Sequence, residues 1–332
     1  MATGQTTYGD INQRTAAWAA SEMLKHAEPV IVLGKFGMTK PMPKNKADTV
    51  KFRRPIPFPA ATTPLVEGVT PSPQKMAYED VPAQLKQYGK PTEITDVVDD
   101  LAEDPVLKDA SMLAGEQAAL TVEMVTYGVV KAGTSVFYAN GSSRSAVNTP
   151  ISLNKQRAIT RFLKAQKAQK LTSILDGSPN YGTKPIEASY VAVAHTDLES
   201  DIRGMAGFIP VAAYGSRKPV CPEEIGSVED VRYVLSPELS SWPNAGGAAG
   251  SMVTTSGTSA DVYPVLYLGK EAFGTVPLKG AGAITPMVLN PGKPDKSDPM
   301  GQRGYVSWKT YFTAVILNQN WMARLEVSVT AL

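Results

Sequence analysis

The sequence predicts an α+β fold, and three stretches carry that reading. Residues 104–133 read as one long helix, residues 46–95 as a two-stranded excursion studded with proline, and the residues after 304 as two strand-like runs that close the chain. In the helix, Asp104 is a good N-cap, Pro105 sits at the first helical position, and Gly133 stands where a left-handed stop is wanted. Val106, Ala110, Leu113, Gln117, Leu120, Met124 and Tyr127 recur at spacings of three and four. Leu107, Ala114, Ala118, Thr121, Val125 and Val129 cover the adjoining face. More than half of the circumference is therefore apolar, and at about 1.5 Å per residue the rod is roughly 42 Å long. Other layers are expected to lie against it. Gly115 and Gly128 lower its helix propensity and are read as points of close backbone approach.

Composition bounds the function. The 332 residues, 43% of them hydrophobic, fill a sizeable core. With 33 basic and 31 acidic residues the formal charge is +2, so no global field draws the chain onto nucleic acid. Cys221 is the only cysteine, which excludes a disulfide framework and a clustered cysteine metal site and points to a reducing compartment. MATGQTTYGD lacks the basic start and apolar run of a signal peptide, and no stretch approaches the roughly 18 apolar residues of a membrane span. A soluble, intracellular protein, unprocessed at its start, is expected.

In chain order, Asp10 opens a short helix with Ala16, Ala17, Trp18, Ala20, Met23 and Leu24 on its apolar side, ended by Pro29. It reads as an arm that docks on its own domain or on a neighbour. VIVLGKFG follows as a strand reaching a Gly turn. Val50 and Phe52 alternate with Lys51 and Arg53, a strand with one basic face. Six prolines from Pro55 to Pro73 then stiffen the tip before a returning strand from about Val81 to Ile94. So long an excursion is usually functional or reaches another chain. Lys51, Arg53 and Arg54 suit phosphate or a neighbour's carboxylates, although a solvated face is the commoner use of such residues.

Beyond the long helix, SVFYANGSS reads as a strand with a turn at Asn140 and Gly141, and Ser152 as the cap of a helix running to about Lys170. There Ala158, Ile159, Phe162 and Ala165 oppose Arg157, Arg161 and Lys164, the best local candidate for nucleic-acid contact. No aromatic residues interleave to stack bases, so a solvated face is the plainer reading. Tyr190–Ala194 is a buried strand leading into a helix with a capping box from Thr196 to Glu199. His195, Asp197, Glu199 and Asp201 invite a metal reading, but residues two apart on a helix diverge. VRYVLSPEL and VYPVLYLG are strands around a flexible Gly/Ser/Thr-rich loop. LGKEAFG and PGKPDKSDP lack phosphate-loop spacing. The last strand is expected to tie the C-terminus into the main sheet.

This order resembles the major capsid proteins of tailed bacteriophages, the Hong Kong ninety-seven-type fold. It is most similar to the N-four-type branch, whose members carry stretches like TYGDINQRTAAWAASEMLKHAEPVIVLGKFG, KPMPKNKADTVKFRR, EITDVVDDLAEDPVLKDA, FYANG, CPEEIGSVEDVRYVLSP and GQRGYVSWKTYFTAVILNQNWMARLEV. The resemblance implies an N-terminal arm over 1–45 and an extended loop over 46–95 lying on the adjacent subunit. It implies a peripheral domain over 96–148 with spine helix 104–133, an axial domain over 149–304, and return strands over 305–332. Copies would close as rings of five and six into an icosahedral head around double-stranded DNA. Trp18, Lys51, Arg53, Arg54 and Phe58 fall at the implied inter-subunit contacts, and Arg157, Arg161 and Lys164 at an inner face near DNA. The implied partners are other copies, a scaffolding protein, a portal protein, decoration proteins and non-specifically held DNA, with no membrane, cofactor, metal or catalysis. The place is the virion, after synthesis in the host cytoplasm.

Two departures limit the carry-over. Lys75 or Lys90 could be proposed for the Lys–Asn cross-link of some relatives, but no motif identifies partners, and none is expected. The arm begins almost at Met1, with no long fused scaffolding segment, so a separate scaffolding protein is expected. Two other classes compete. A nucleic-acid-binding module would use the basic helix 152–170. A mixed α/β enzyme would have only scattered carboxylates, His26 and His195 to work with.

Overall fold

The computed structural model describes residues 31–43, 45, 47–97, 106–175, 183–215, 218–278, 284–289 and 298–332. The short Trp18 helix, His26, Asp104 and Pro105 lie outside them. β-Branched and aromatic runs form an eight-stranded sheet from β5 (Val136–Tyr138), β6 (Leu171–Leu175), β7 (Thr183–Ala194), β8 (Phe208–Pro210), β9 (Glu224–Val228), β10 (Val231–Leu235), β11 (Tyr263–Leu268) and β15 (Met322–Val327). Its order is β5-β15-β11-β7-β10-β9-β8, with β6 also on β7. The pairs β7–β10 and β5–β15 are parallel, and the others antiparallel.

Both faces of this sheet are covered. Tyr190, Ala192, Val231, Tyr233, Val265, Tyr267 and Leu325 point to the side closed by Ile159 and Leu163 of α2 (Leu153–Ala165) and by Ile202 of α3 (Glu199–Arg203). Val191, Val193, Val234, Leu266 and Leu268 point to the opposite side, closed by Leu33, Phe36, and Tyr127 and Val130 of α1 (Val106–Lys131). Strands buried on both faces read as continuous apolar runs, which is why VRYVL and YPVLYL show no polar alternation. Fully buried Gln156 ties α2 to the sheet: its Nε2 donates to Val228 O at 2.8 Å and its Oε1 accepts from Tyr233 Oη at 2.7 Å.

The second sheet has five strands. Along one edge of β14 (Arg303–Ile316) runs β4 (Lys86–Thr95). Along the other run β13 (Ile284–Leu289) and then β12 (Phe273–Pro277), with β1 (Met38–Thr39) outermost. Val306 and Trp308 of β14 face the N-terminal half of α1 through Ala114 and Ala118, while Tyr305, Ser307, Lys309 and Tyr311 on the reverse face stay half-exposed. α1 thus bridges two sheets. The excursion is a hairpin of β2 (Thr49–Pro55) and β3 (Tyr78–Gln84), rooted where Val50, Phe52 and Ala83 pack with Met42 and Val276. Lys86–Thr95, read as part of the returning strand, belongs instead to the five-stranded sheet. The excursion proper is residues 49–84.

Several expectations are corrected. The described part of VIVLGKFG, residues 31–37, is not a strand: Leu33–Lys35 is a 3-10 turn, and Glu123 of α1 takes the Leu33 N–H at 2.8 Å. Gly133 is not left-handed; α1 ends through N–H bonds of Ala132 and Gly133 to Val129 and Val130, and a side chain at 133 would crowd Met322 at 3.0 Å. On α1 the small residues Ala114, Ala118 and Ala119 are buried, whereas Leu113, Leu120 and Met124 are exposed. Gln117 is exposed too, yet its Oε1 accepts from Trp308 Nε1 at 2.9 Å. An added Cβ at Gly128 would meet nothing within 4 Å, so among the described residues no close approach occurs there.

Ser152 occupies the cap position of α2 without a side-chain cap bond, and α2 stops at Ala165. The capping box is replaced by His195, whose Nδ1 accepts from the Asp197 N–H at 3.1 Å, while Glu199 pairs with Arg203. The Gly/Ser/Thr-rich loop is held rather than free. Fully buried Asp261 accepts from Asn244 N–H at 2.7 Å and Thr255 N–H at 2.9 Å, and Trp242 bridges Val262. Asn140–Gly141 is a turn as expected, with Gly141 at φ +67°.

Candidate assembly surfaces

Two surfaces and one charged corner stand out. The first is the excursion, in which every residue from 53 to 80 is exposed, including Ile56, Phe58, Leu65, Val66, Val69 and Met76. Six prolines remove backbone donors there, so neither a central strand nor a core forms. The basic residues read as contacts for phosphate or a neighbour find partners on their own hairpin. Arg53 donates Nε and Nη2 to the two oxygens of Asp80 at 2.7 and 2.8 Å, and Arg54 pairs with Glu79 at 2.6 Å. Cross-strand register sets these pairs: Arg53 stands opposite Asp80 and Arg54 opposite Glu79. Lys51 contributes its carbonyl, which accepts from Lys40 Nζ at 3.0 Å. Phe58 is exposed, and Trp18 lies outside the described residues.

The second surface is the basic face of α2. Arg157 pairs with Glu229 at 2.5 Å and Lys164 with Asp230 at 2.7 Å, both acids lying in the β9–β10 turn. Lys170 shares Asp230 at 3.1 Å. Arg161 is exposed. The turn therefore offsets two of the positive charges that made this face the nucleic-acid candidate. The acidic run after the buried strand is likewise dispersed: Asp197 accepts from Tyr263 Oη at 2.8 Å and Asp201 from the Thr330 N–H at 3.0 Å. Among the described residues no group of three His, Cys, Asp or Glu side chains is placed to hold a metal, and no helix is long and apolar enough to cross a membrane. Lys75 and Lys90 are both exposed.

Sequence reasoning missed the charged corner. At the C-terminal end of α1, Lys131 Nζ lies 4.1 Å and Arg144 Cζ 3.6 Å from the Trp242 ring centre, with Arg324 Cζ at 5.5 Å. Fully buried Glu326 accepts two bonds from Arg144, both 2.8 Å, and lies 2.9 Å from Arg324 Nε. Arg324 Nη1 also donates to the Lys131 carbonyl, capping α1. Burial, then Arg144 and Arg324, push the Lys131 ammonium below its usual value. The available signals were a Trp inside a Gly-rich loop and a lone Glu in the apolar terminal strand.

Comparison with known proteins decides the family. The profile described as phage capsid protein matches residues 78–325. The chain belongs to that family. Among curated proteins, the capsid chain is 22% identical over 263 residues to the major capsid protein of Pseudomonas phage KPP21. That match takes in 73% of the chain and spans 66% of the relative's length. The fold recurs in the capsid of Ralstonia phage GP4, at TM-score 0.64 and 12% identity over 89% of this chain and 88% of that one. Cyanophage Pam1 capsid gives 0.62 and 12% over 92% of both. The head structure of Helicobacter pylori bacteriophage KHP40 gives 0.60 and 10% over 89% and 88%.

Proposed function

We propose that this chain is the structural subunit of an icosahedral phage head, closing as rings of five and six around double-stranded DNA, with no catalytic step. The observation that carries the reading is the excursion: about thirty residues whose apolar side chains find no cover among the described residues. At roughly 25 cal/mol per Å², burial of such a tip on the next copy adds up around a closed ring even where each interface is modest. A heterologous tip-to-neighbour contact generates rings where its rotation closes.

In this reading 1–45 is the arm, 46–95 the extended loop with 49–84 as its free part, 96–148 the peripheral domain with its spine, 149–304 the axial domain and 305–332 the return strands, with β12 and β13 crossing back to β14 and β15 joining the eight-stranded sheet. Trp18, Lys51, Arg53, Arg54 and Phe58 meet neighbours, the arginines through faces left free by Asp80 and Glu79. Arg157, Arg161 and Lys164 lie toward DNA. A formal charge of +2 and the ion pairs on α2 suit a shell that encloses DNA without gripping it. Scaffolding, portal and decoration proteins are the further partners, and assembly takes place in the host cytoplasm.

Light scattering across a concentration and salt series, with negative-stain images of the same fractions, tests this. Rings, tubes or shells are expected, with a scaffolding protein added where the pure chain stays small. A monomer that persists with scaffold present overturns the proposal.

A further inference from the structure

The corner at the end of α1 carries more positive charge than its own fold uses. Lys131, Arg144 and Arg324 converge on Trp242 against a single carboxylate, Glu326, a surplus of two charges. The negative end of α1 offsets about half a charge, and Arg324 answers it directly through the Lys131 carbonyl. Lys131 makes no ion pair among the described residues and feels Glu326 only through space; its ammonium lies over Trp242 and Tyr127 and donates to Ser240 O at 3.3 Å. A half-buried cation held beside two guanidiniums is stabilised by an external anion.

The chain also presents a matching acid that has no ion pair or hydrogen bond among the described residues. Glu67 is the only acidic residue between Pro55 and Tyr78, and it is exposed. The Val69 N–H donates to Val66 O at 3.2 Å and Gly68 sits at φ +78°, the geometry of a type II turn with Glu67 at its first corner. Leu65 and Val66 beside it are exposed at 79% and 67%, apolar neighbours for the rim of an indole. Extended at about 3.3 Å per residue, the chain from Pro55 carries this turn up to roughly 36 Å outward.

We propose that the Lys131–Arg144–Trp242 corner receives the Glu67 carboxylate of a neighbouring copy, one ion pair per tip-to-neighbour contact. The proposal rests on the assembly reading above. A single carboxylate fits better than DNA, because the corner is one compact spot. DNA binding draws instead on many phosphate contacts distributed along the duplex.

The test uses full-length chains: Glu67→Lys, Lys131→Glu and the double swap, with Glu67→Gln, Lys131→Gln and their double as a milder cycle in case a reversal fails to fold. Each single change is expected to raise the concentration needed for assembly by up to about fivefold, with the effect fading in high salt. The swap restores assembly, and the Gln double is no worse than either Gln single. Singles that assemble like wild type, or Gln effects that add, overturn the contact while leaving the assembly reading intact. Lys131→Gln particles that assemble normally but retain less DNA assign the corner to phosphate and equally overturn it. A wild-type chain that fails to assemble even with scaffold removes the assembly reading itself.

Discussion

β10 and β11 on one side, and the excursion beyond β2 on the other, hold comparable runs of apolar residues and treat them in opposite ways. Every residue of β10 and β11 is buried within one chain, whereas every residue from 53 to 80 is exposed. Apolar area stabilises wherever it leaves water, so the sheet stabilises the subunit itself, and on the assembly reading proposed above the excursion contributes between copies. Stability of the monomer and stability of the assembly are thus separable in this molecule, and mutations should part them.

The sharpest break comes from the sheet. Leu266 is fully buried in β11 between β15 and β7, and Leu266→Ala removes packing on a face closed by α1. A loss of about 2–5 kcal/mol in urea unfolding of the monomer is expected, with assembly lost as a consequence. A variant that melts like wild type would mean that this layer is not the core.

A comparable effect should follow pH at the junction of the two sheets. Burial raises the Glu123 carboxyl from 4.5 to about 7, against the N–H groups of Leu33, Val32 and Gly34 and the nearby Lys35 ammonium, which lower it. Lys35 is itself paired with Glu223 at 3.0 Å. Because the folded value is raised, the native chain keeps a proton that the unfolded chain sheds between pH 4.5 and about 7. Stability from this group is therefore full below that window and falls as pH rises through it, by about 3 kcal/mol in all. Glu123→Gln keeps an acceptor oxygen and removes the titration. Unfolding free energies measured across the window should slope downward for wild type relative to the variant, and equal slopes would refute the assignment.

The same contrast explains what could be read from the sequence. The long helix, the Asn140–Gly141 turn, the strands at Tyr190–Ala194, Val231–Leu235 and Tyr263–Leu268, and the closing strands were legible because each is fixed by local pattern. Which side of α1 faces inward was not. A helix lying close on β14 buries Ala114 and Ala118, and leaves Leu113, Leu120 and Met124 outside, the reverse of what hydrophobicity suggests. VIVLGKFG and the loop held by Asp261 were misread for a shared reason. Their hydrogen-bond partners are a carboxylate 90 residues away on α1 and a buried Asp at the loop's far end. The exposed excursion was legible from its proline density, but not its charge pairing. The partners of Arg53 and Arg54 lie 27 and 25 residues on and meet them only through strand register.

On the excursion the expected monomer effect is small. Phe58→Ser combined with Leu65→Ser removes two side chains that are already exposed at 53% and 79%. Monomer unfolding should move by no more than about 0.5 kcal/mol, while the concentration needed for assembly rises. If the pair destabilises the monomer as Leu266→Ala does, the tip is folded onto its own chain and the contrast between the two regions collapses.

The smallest effect is expected at the root of the same hairpin. Arg53 and Asp80 make a bidentate pair in full solvent, where side-chain entropy and salt screening cancel most of the Coulomb gain. The Arg53 guanidinium holds the Asp80 carboxyl below its usual value, so the pair stays intact until the solution is distinctly acidic. Asp80→Asn should leave the melting temperature of the monomer unchanged within error, in low salt and in high salt alike. Its use is as a control on the assembly surface: the change frees Arg53 without touching the apolar tip. If assembly then strengthens or weakens while the melting temperature stays fixed, the arginine acts between copies. If neither moves, Phe58, Leu65 and their apolar neighbours carry the contact without it.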